Sequence, residues 1–348
     1  MSAAERGAVA DRELSRLFSD FSDFSRVILA VSGGPDSTAL LWLAARWRAT
    51  QSDGPMLVAA TIDHRLRREA KKEAAAVAKL ARKLQIPHYT LAWSGAKPKT
   101  GLQEAARSAR YSLLLGLARK VGADAIATAH TRDDQAETIL HRIGRGSGIG
   151  GLAGIRRRRE RDGIVLLRPL LGVAKARLIS TLGKARLAFA DDPSNRDPRF
   201  LRARLRQLAP GLEREGIDAA KLALLARRLD RANEAIEAAA ADAWKRALNG
   251  SSVTLEFEAS RYFALPAEIA LRLLARAIDD KGHEGPAELG KLEVLYEALV
   301  KAKTAREPLK RTLAGAAVTL AGSHISVDAA PPRRKPRRRS LPEAAAKI

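Results

Sequence analysis

Val27-Ile28-Leu29-Ala30-Val31, then Ser32-Gly33-Gly34-Pro35-Asp36-Ser37, then Thr38-Ala39-Leu40-Leu41-Trp42-Leu43-Ala44-Ala45 is the stretch on which the fold turns. The first segment is an unbroken apolar run rich in β-branched residues. The last is made of helix formers. Between them lie two glycines, a proline and three polar side chains, so the reading is buried strand, tight loop, helix. Such a loop leaves backbone N–H groups at a helix N-terminus, where they and the helix dipole favour an anion, most naturally a phosphate. The glycines permit positive φ and close approach of the backbone to a ligand. Ser32 and Ser37 add hydroxyls, and Asp36 adds a carboxylate suited to hold Mg²⁺ among phosphate oxygens. No lysine follows the second glycine, which separates this loop from G-x-x-x-x-G-K-[ST], and it is not G-x-G-x-x-G.

Outward from the loop, strand and helix alternate. A short helix carrying Leu14, Leu17 and Phe18 precedes it. Met56 to Ile62 reads as a second strand ending at Asp63-His64, Glu69 to Leu84 as a helix, and Pro87 to Leu91 as a third strand. Leu102 to Lys120 reads as a helix, Asp124 to Ala129 as a fourth strand ending at His130, and Ile164 to Leu167 as a fifth. This alternation predicts an α/β, Rossmann-like parallel sheet covered on both faces, with ligands beyond the carboxyl ends of the strands. The loop at Ser32, Asp63-His64, the helix start at Gln103–Arg107 and His130 all fall on that edge. Asp133 or Asp134 is expected to cap the next helix. Gly144 to Gly154 reads as a mobile glycine-rich loop exposing Arg145, and Arg156 to Arg159 as a basic run. Pro210-Gly211 is expected to break the chain near a domain boundary. Beyond it, the stripe Leu222, Leu225, Leu229, Ile236, Trp244 and further helices at 267–280 and 289–302 predict a mainly helical C-terminal domain. It ends in a hairpin about Ala321-Gly322-Ser323. The last residues form a disordered basic tail.

The chain has 348 residues, formal net charge +23, 4% aromatic residues and no cysteine. Length allows two domains. The charge argues for a polyanionic partner gripped through phosphates rather than by base stacking. Absence of cysteine removes disulfides and thiolate chemistry and fits a cytoplasmic location. No apolar run is long enough to span a bilayer, and the polar N-terminus lacks a signal-peptide stretch. Helical stripes of this kind pack within one chain or between two, so a homodimer is compatible with them.

Among single residues, a lone histidine such as His130 is most often a packed one, and two carboxylates such as Asp134 and Glu137 most often form a solvated face. Here they adjoin the predicted ligand edge. Asp134 and Glu137 are three apart and share a helix face, a suitable pair for an ammonium group.

Ser32-Gly33-Gly34-Pro35-Asp36-Ser37 resembles the S-G-G-x-D-S signature of the PP-loop, or N-type ATP pyrophosphatase, family, whose fold is of the adenine nucleotide α-hydrolase type. Further blocks resemble the tRNA(Ile)-lysidine synthase branch of that family. They are Asp63-His64-Arg65-Leu66-Arg67, Gln103-Glu104-Ala105-Ala106-Arg107 through Arg110-Tyr111, Thr128-Ala129-His130 through Gly154-Ile155, Asp192-Pro193-Ser194-Asn195, and Arg199-Phe200-Leu201-Arg202. The resemblance covers about residues 25–212. Thr131 stands where the branch often has a second histidine. The resemblance implies a catalytic domain at 1–212, a mainly helical tRNA-binding domain at 213–328 and the basic tail at 329–348. It implies ATP and Mg²⁺ at Ser32, Gly33, Gly34, Pro35, Asp36, Ser37 and Asp63, with Asp36 the metal ligand. It further implies catalytic roles for Asp36, His130 and Arg107, free lysine held by Asp134 and Glu137, and tRNA phosphates at Arg145, Arg199, Arg202 and Arg204. The reaction implied is adenylation of the wobble cytidine of an isoleucine tRNA with a CAU anticodon, then attack by lysine to give lysidine. A tRNA thiolase would need cysteine, which is absent. An amidotransferase ligase would not need the basic charge. An RNA-binding protein with a decayed ATP site would not keep every loop position intact.

Overall fold

The structure is a computed structural model that describes residues 7–65, 69–95, 97–98, 100–190, 201–247 and 255–331, the side chain of Arg202 excepted. It divides into two compact units, Met1–Asp230 and Arg231–Ile348. No helix among the described residues is long and apolar enough to cross a membrane.

The first unit runs α1 (Asp11–Leu17), β1 (Arg26–Ala30), α2 (Pro35–Ala49), β2 (Met56–Asp63), α3 (Ala70–Lys83), β3 (His88–Ala92), α4 (Leu102–Val121), β4 (Ala125–Ala127), α5 (Arg132–Ile143), α6 (Ile149–Leu152), β5 (Arg158–Arg161), β6 (Ile164–Leu167), α7 (Lys175–Lys184) and α8 (Leu201–Arg214), and enters α9 (Ala219–Ala247). The sheet order is β3-β2-β1-β4-β6-β5, parallel except for β5, which pairs antiparallel with β6. β1 is the central strand because it is apolar on both faces. Val27, Leu29 and Val31 enter one core with Trp47, Phe18 and Phe21, and Ile28 and Ala30 enter the other with Leu114, Leu117 and Ala118. Period-2 alternation thus feeds two layers of helices. Strand order reverses between β1 and β4, the crevice where open α/β sheets bind ligands.

Two local expectations are corrected in this unit. The basic run, Arg156 to Arg159, leads into β5, whose four residues are all exposed, an edge strand blunted by charge. Pro210 does not break the chain: it lies inside α8. α8 packs on α5, and that packing outweighs the proline's loss of one helical bond. The turn cluster at 191–195 and Arg199 lie outside the described residues.

The second unit completes α9 and adds β7 (Leu255–Glu258), α10 (Ala259–Phe263), α11 (Ala267–Lys281), α12 (Leu289–Ala305), β8 (Leu309–Leu313), β9 (Ala316–Ala321) and β10 (His324–Ala329). The expected terminal hairpin is β9–β10, and it is the middle of a four-stranded antiparallel sheet, order β7-β10-β9-β8. α11 and α12 cover that sheet through Leu273, Leu274, Ile278, Leu295 and Leu299. The tail from residue 332 lies outside the described residues.

Candidate active site

The loop after β1 is braced by its own hydroxyls. Gly33 stands at φ +90°, where a Cβ would strain the backbone. Ser37 Oγ donates to the Gly34 carbonyl and accepts from the Ser32 N–H, each at 3.1 Å, and Ser32 Oγ lies 3.1 Å from it. Thr38 Oγ1 donates to the Gly33 carbonyl at 3.2 Å. Gly34 is the N-cap of α2 and Pro35 occupies its first turn, where a missing N–H is harmless. Among the described residues no side chain caps this helix, which leaves its N-terminal N–H groups available to an anion.

Asp36 faces a cation that the sequence reading missed. Lys175 Nζ, from the first residue of α7, lies 3.0 Å from Asp36 Oδ2. Asp36 Oδ1 is buried without a hydrogen-bond partner among the described residues. Burial raises the Asp36 carboxyl above its ordinary range against the pull of Lys175, and the negative charges of Asp134 and Asp133 add to the rise. An orphaned carboxylate oxygen at a phosphate loop fits a hard divalent cation that takes its other ligands from phosphates.

α5 opens the acidic side of the site. Its N-cap is Thr131, which corrects the expectation that Asp133 or Asp134 caps it. The Thr131 N–H donates to Asp134 Oδ2 at 2.8 Å, and the Asp134 N–H donates to Thr131 Oγ1 at 3.3 Å. Reciprocal bonding of this kind needs the acid three positions beyond the cap, which is the Thr131–Asp134 spacing. The threonine standing in place of a second histidine therefore fixes Asp134. Asp133 instead accepts from the Lys175 backbone N–H at 2.8 Å and so holds the start of α7.

One turn along α5, Glu137 is buried and paired with Arg206 of α8, Nε to Oε1 at 2.5 Å and Nη2 to Oε2 at 3.3 Å. Burial opposes the Arg206 charge, but this pair outweighs it and its guanidinium is raised. Asp134 and Glu137 do share one face, and that face lines a cleft of about 230 Å³. Asp133, Lys175, Arg206 and Glu213 are among its other polar lining residues, and Leu140, Leu205, Leu212, Ile217 and Leu222 among its apolar ones.

His130 follows β4, and its Nδ1 lies 2.9 Å from Thr128 Oγ1. Burial pushes its pKa down to about 3. Asp134 pulls the other way, and Arg168, Arg110 and Arg107 reinforce the fall. The imidazole is therefore neutral near pH 7. Arg107 lies 5.4 Å from the centre of the Tyr111 ring, and Arg168 is hydrogen-bonded to Tyr111. Arg168 Nη1 donates to the Arg156 carbonyl at 2.6 Å, while its Nε is buried without a partner among the described residues. The charges of three guanidiniums thus act on His130 beside the strand ends, a setting for a negatively charged group.

Asp63 is buried at the end of β2, where Oδ1 accepts the Arg65 N–H at 2.8 Å and so shapes the turn after the strand. Beside it, His64 is edge-on to Trp93, with ring centres 5.9 Å apart, and burial followed by Arg110 and Lys97 lowers its pKa. The glycine-rich loop contains α6 and is held at its end by Gln135, which bonds both the N–H and the carbonyl of Ile155 at 2.6 and 3.0 Å. Gly154, at φ +74°, leaves no room for a Cβ, which would meet Gln135 Oε1 at 2.7 Å. Arg145 is exposed on that loop, and Arg204 is exposed on α8. Arg202 lies on α8.

The sequence reading did not single out Lys175, Arg168 or Arg206 for this site. Arg168 had a signal, its place immediately after a parallel strand. Lys175 and Arg206 had none, because each acts across a long sequence separation.

A family model described as a PP-loop domain matches residues 8–212. The chain is 54% identical over 343 residues to a tRNA(Ile)-lysidine synthase of Rhodopseudomonas palustris, covering 96% of this chain and 99% of that one. It is 51% identical over 356 residues to a tRNA(Ile)-lysidine synthase of Bradyrhizobium diazoefficiens, covering 96% and 98%. Among solved structures, a U34-tRNA thiolase from Methanococcus maripaludis, with its [4Fe-4S] cluster, is similar at TM-score 0.55 and 15% identity. That match covers 64% of this chain and 78% of the thiolase, and at this identity it speaks to the fold alone.

Proposed function

The chain belongs to the PP-loop family and, within it, to the tRNA(Ile)-lysidine synthases, and from that premise we propose how its residues divide the reaction. The substrates are ATP, free lysine and an isoleucine tRNA with a CAU anticodon. The C2 oxygen of the wobble cytidine bonds to the α-phosphorus of ATP, and pyrophosphate leaves. The lysine Nε, once it has lost a proton and become the free amine, bonds to C2, the C2–O bond breaks to release AMP, and the excess proton on the new C–N bond leaves to solvent. Activation must come first, because an amide-like oxygen is a poor leaving group until it carries a phosphoryl group.

The phosphate loop, Ser32 to Ser37, takes the polyphosphate of ATP at the N-terminus of α2. Mg²⁺, when bound, neutralises phosphate charge, and Asp36 Oδ1 is the atom this chain offers it. Asp63 shapes the turn beside the nucleotide. His130 meets the adenylated base as a neutral imidazole, and Arg107 offsets the charge of its phosphate. Asp134 and Glu137 hold the lysine in the cleft between α5 and α8. Arg145, Arg199, Arg202 and Arg204 take RNA phosphates, in keeping with the net charge of +23.

One observation carries this reading: Asp133 and Lys175 tie the carboxylate-bearing end of α5 directly to Asp36 of the phosphate loop, through contacts of 2.8 and 3.0 Å. A nucleotide site and an ammonium-binding cleft thereby share a wall, as consecutive adenylation and amine attack require. The test is incubation with labelled lysine, Mg-ATP and tRNA bearing a CAU anticodon. Label should enter the RNA. Unlabelled RNA with pyrophosphate released on a small acid instead would overturn the reading.

A further inference from the structure

The phosphate loop has no lysine of its own, yet an ammonium stands at its mouth. Lys175 reaches Asp36 from 139 residues away in the chain. Three observations fit this ammonium to a ligand better than to the fold. First, the start of α7 is already held by the Asp133 carboxylate on the Lys175 backbone N–H, so it does not depend on the side chain. Second, the pair is part-buried, yet the Lys175 side chain is 34% exposed and lines the cleft, so its ammonium can be reached by a ligand without unfolding the helix start. Third, the other oxygen of Asp36 is buried and has no partner among the described residues, so Lys175 leaves the carboxylate half satisfied there. α7 also packs against α2, and the contact between Asp36 and Lys175 brings the N-termini of both helices together. Two positive dipole ends and one ammonium then surround the same space.

We infer that Lys175 is the cation of the phosphate loop, supplied by a distant helix, and that it binds the pyrophosphate end of ATP. The inference rests on the ATP reading above. When the base oxygen bonds to the α-phosphorus, the bond from that phosphorus to the bridging oxygen breaks and its electron pair stays on pyrophosphate. Lys175 then offsets the added negative charge on the leaving group, exchanging Asp36 for phosphate oxygens.

The test titrates inorganic pyrophosphate and, separately, AMP into the full-length protein with Mg²⁺ present, by calorimetry. Lys175→Met should weaken pyrophosphate binding at least tenfold and AMP binding less than twofold, and Lys175→Arg should restore most of the pyrophosphate affinity. Lys175→Gln serves the same comparison if Lys175→Met does not fold. Unchanged pyrophosphate affinity overturns the inference. So does equal weakening of AMP and pyrophosphate, or an effect confined to the KM for lysine, which would place the ammonium in the amino-acid cleft. A wild-type protein that binds pyrophosphate through Lys175 but does not lysinylate tRNA would defeat the functional reading and leave this inference standing.

Discussion

Glu137→Gln separates the amino-acid cleft from the nucleotide site, and its size can be worked from the pair it breaks. The Glu137 side chain is 9% exposed and that of Arg206 36%. Removing one partner of a fully buried pair costs about 3–5 kcal/mol, because the other charge is stranded. Arg206 is not stranded: it is more than a third exposed and turns to water, and glutamine keeps one carbonyl acceptor for it. The expected loss of stability is therefore about 1–2 kcal/mol. For a unit of this size that is a fall in Tm of roughly 2–8 °C, leaving the protein folded at assay temperature. The effect on lysine is larger. A hydrogen bond between an ammonium and a carboxylate contributes about 1.5–3 kcal/mol, so the KM for lysine should rise roughly 10- to 150-fold. The assay is single-turnover pyrophosphate release from ATP and CAU tRNA without lysine, followed by a lysine titration of RNA labelling. Pyrophosphate release should stay within a few-fold of wild type while lysine use collapses. Parallel loss of both steps refutes the assignment and moves Glu137 to the nucleotide end of the site.

Other residues give contrasts of their own. Gly33→Ala should cost about 1–2 kcal/mol from backbone strain at φ +90°, since its Cβ would meet Glu73 and Val77 only at ordinary contact distance. Gly34→Ala, at φ −70°, should melt like wild type, and equal melting of both variants would show that the loop is not held in this conformation. The His130 pKa is depressed, so between pH 3 and 6.5 the unfolded chain binds a proton that the folded one does not. Stability is lost as pH falls through that window, by at most about 1.4 kcal/mol per pH unit. His130→Asn should reduce the difference between urea midpoints at pH 5 and pH 7, and an unaltered difference would mean the imidazole is not held neutral. Removing residues 332–348, which carry Arg333, Arg334, Lys335, Arg337, Arg338 and Arg339, should weaken tRNA binding at low salt and flatten its salt dependence. An unchanged slope would show that these side chains touch no phosphates.

What the sequence could disclose here divides by range. β1, its loop and α2 were legible because their signals are local: an apolar run, glycines that allow positive φ, and helix formers after a proline. The same holds for the switch point, since β4 and His130 announce a strand end by hydrophobicity alone. Errors arose where a distant element overrides a local preference. Pro210 reads as a break, but α8 has α5 to pack on. Arg156 to Arg159 reads only as a basic run, but β6 offers an edge with which Arg158–Arg161 pairs, and a strand exposed on every residue has no hydrophobic period to betray it. Asp133 and Asp134 are equivalent as caps by composition. What assigns one to α5 and the other to α7 is a threonine two or three residues before them and a helix start forty-two residues after. The site follows the same logic more severely. Its carboxylates sit on one helix turn and were readable as a pair. The cations that complete it, Lys175 on Asp36 and Arg206 on Glu137, come from α7 and α8, 139 and 69 residues away from their partners. Nothing about a lysine at one helix start or an arginine among several distinguishes it until the fold supplies the carboxylate. In this chain the acids were thus legible before the bases, and the bases are where substitutions should now discriminate between nucleotide, amino acid and RNA.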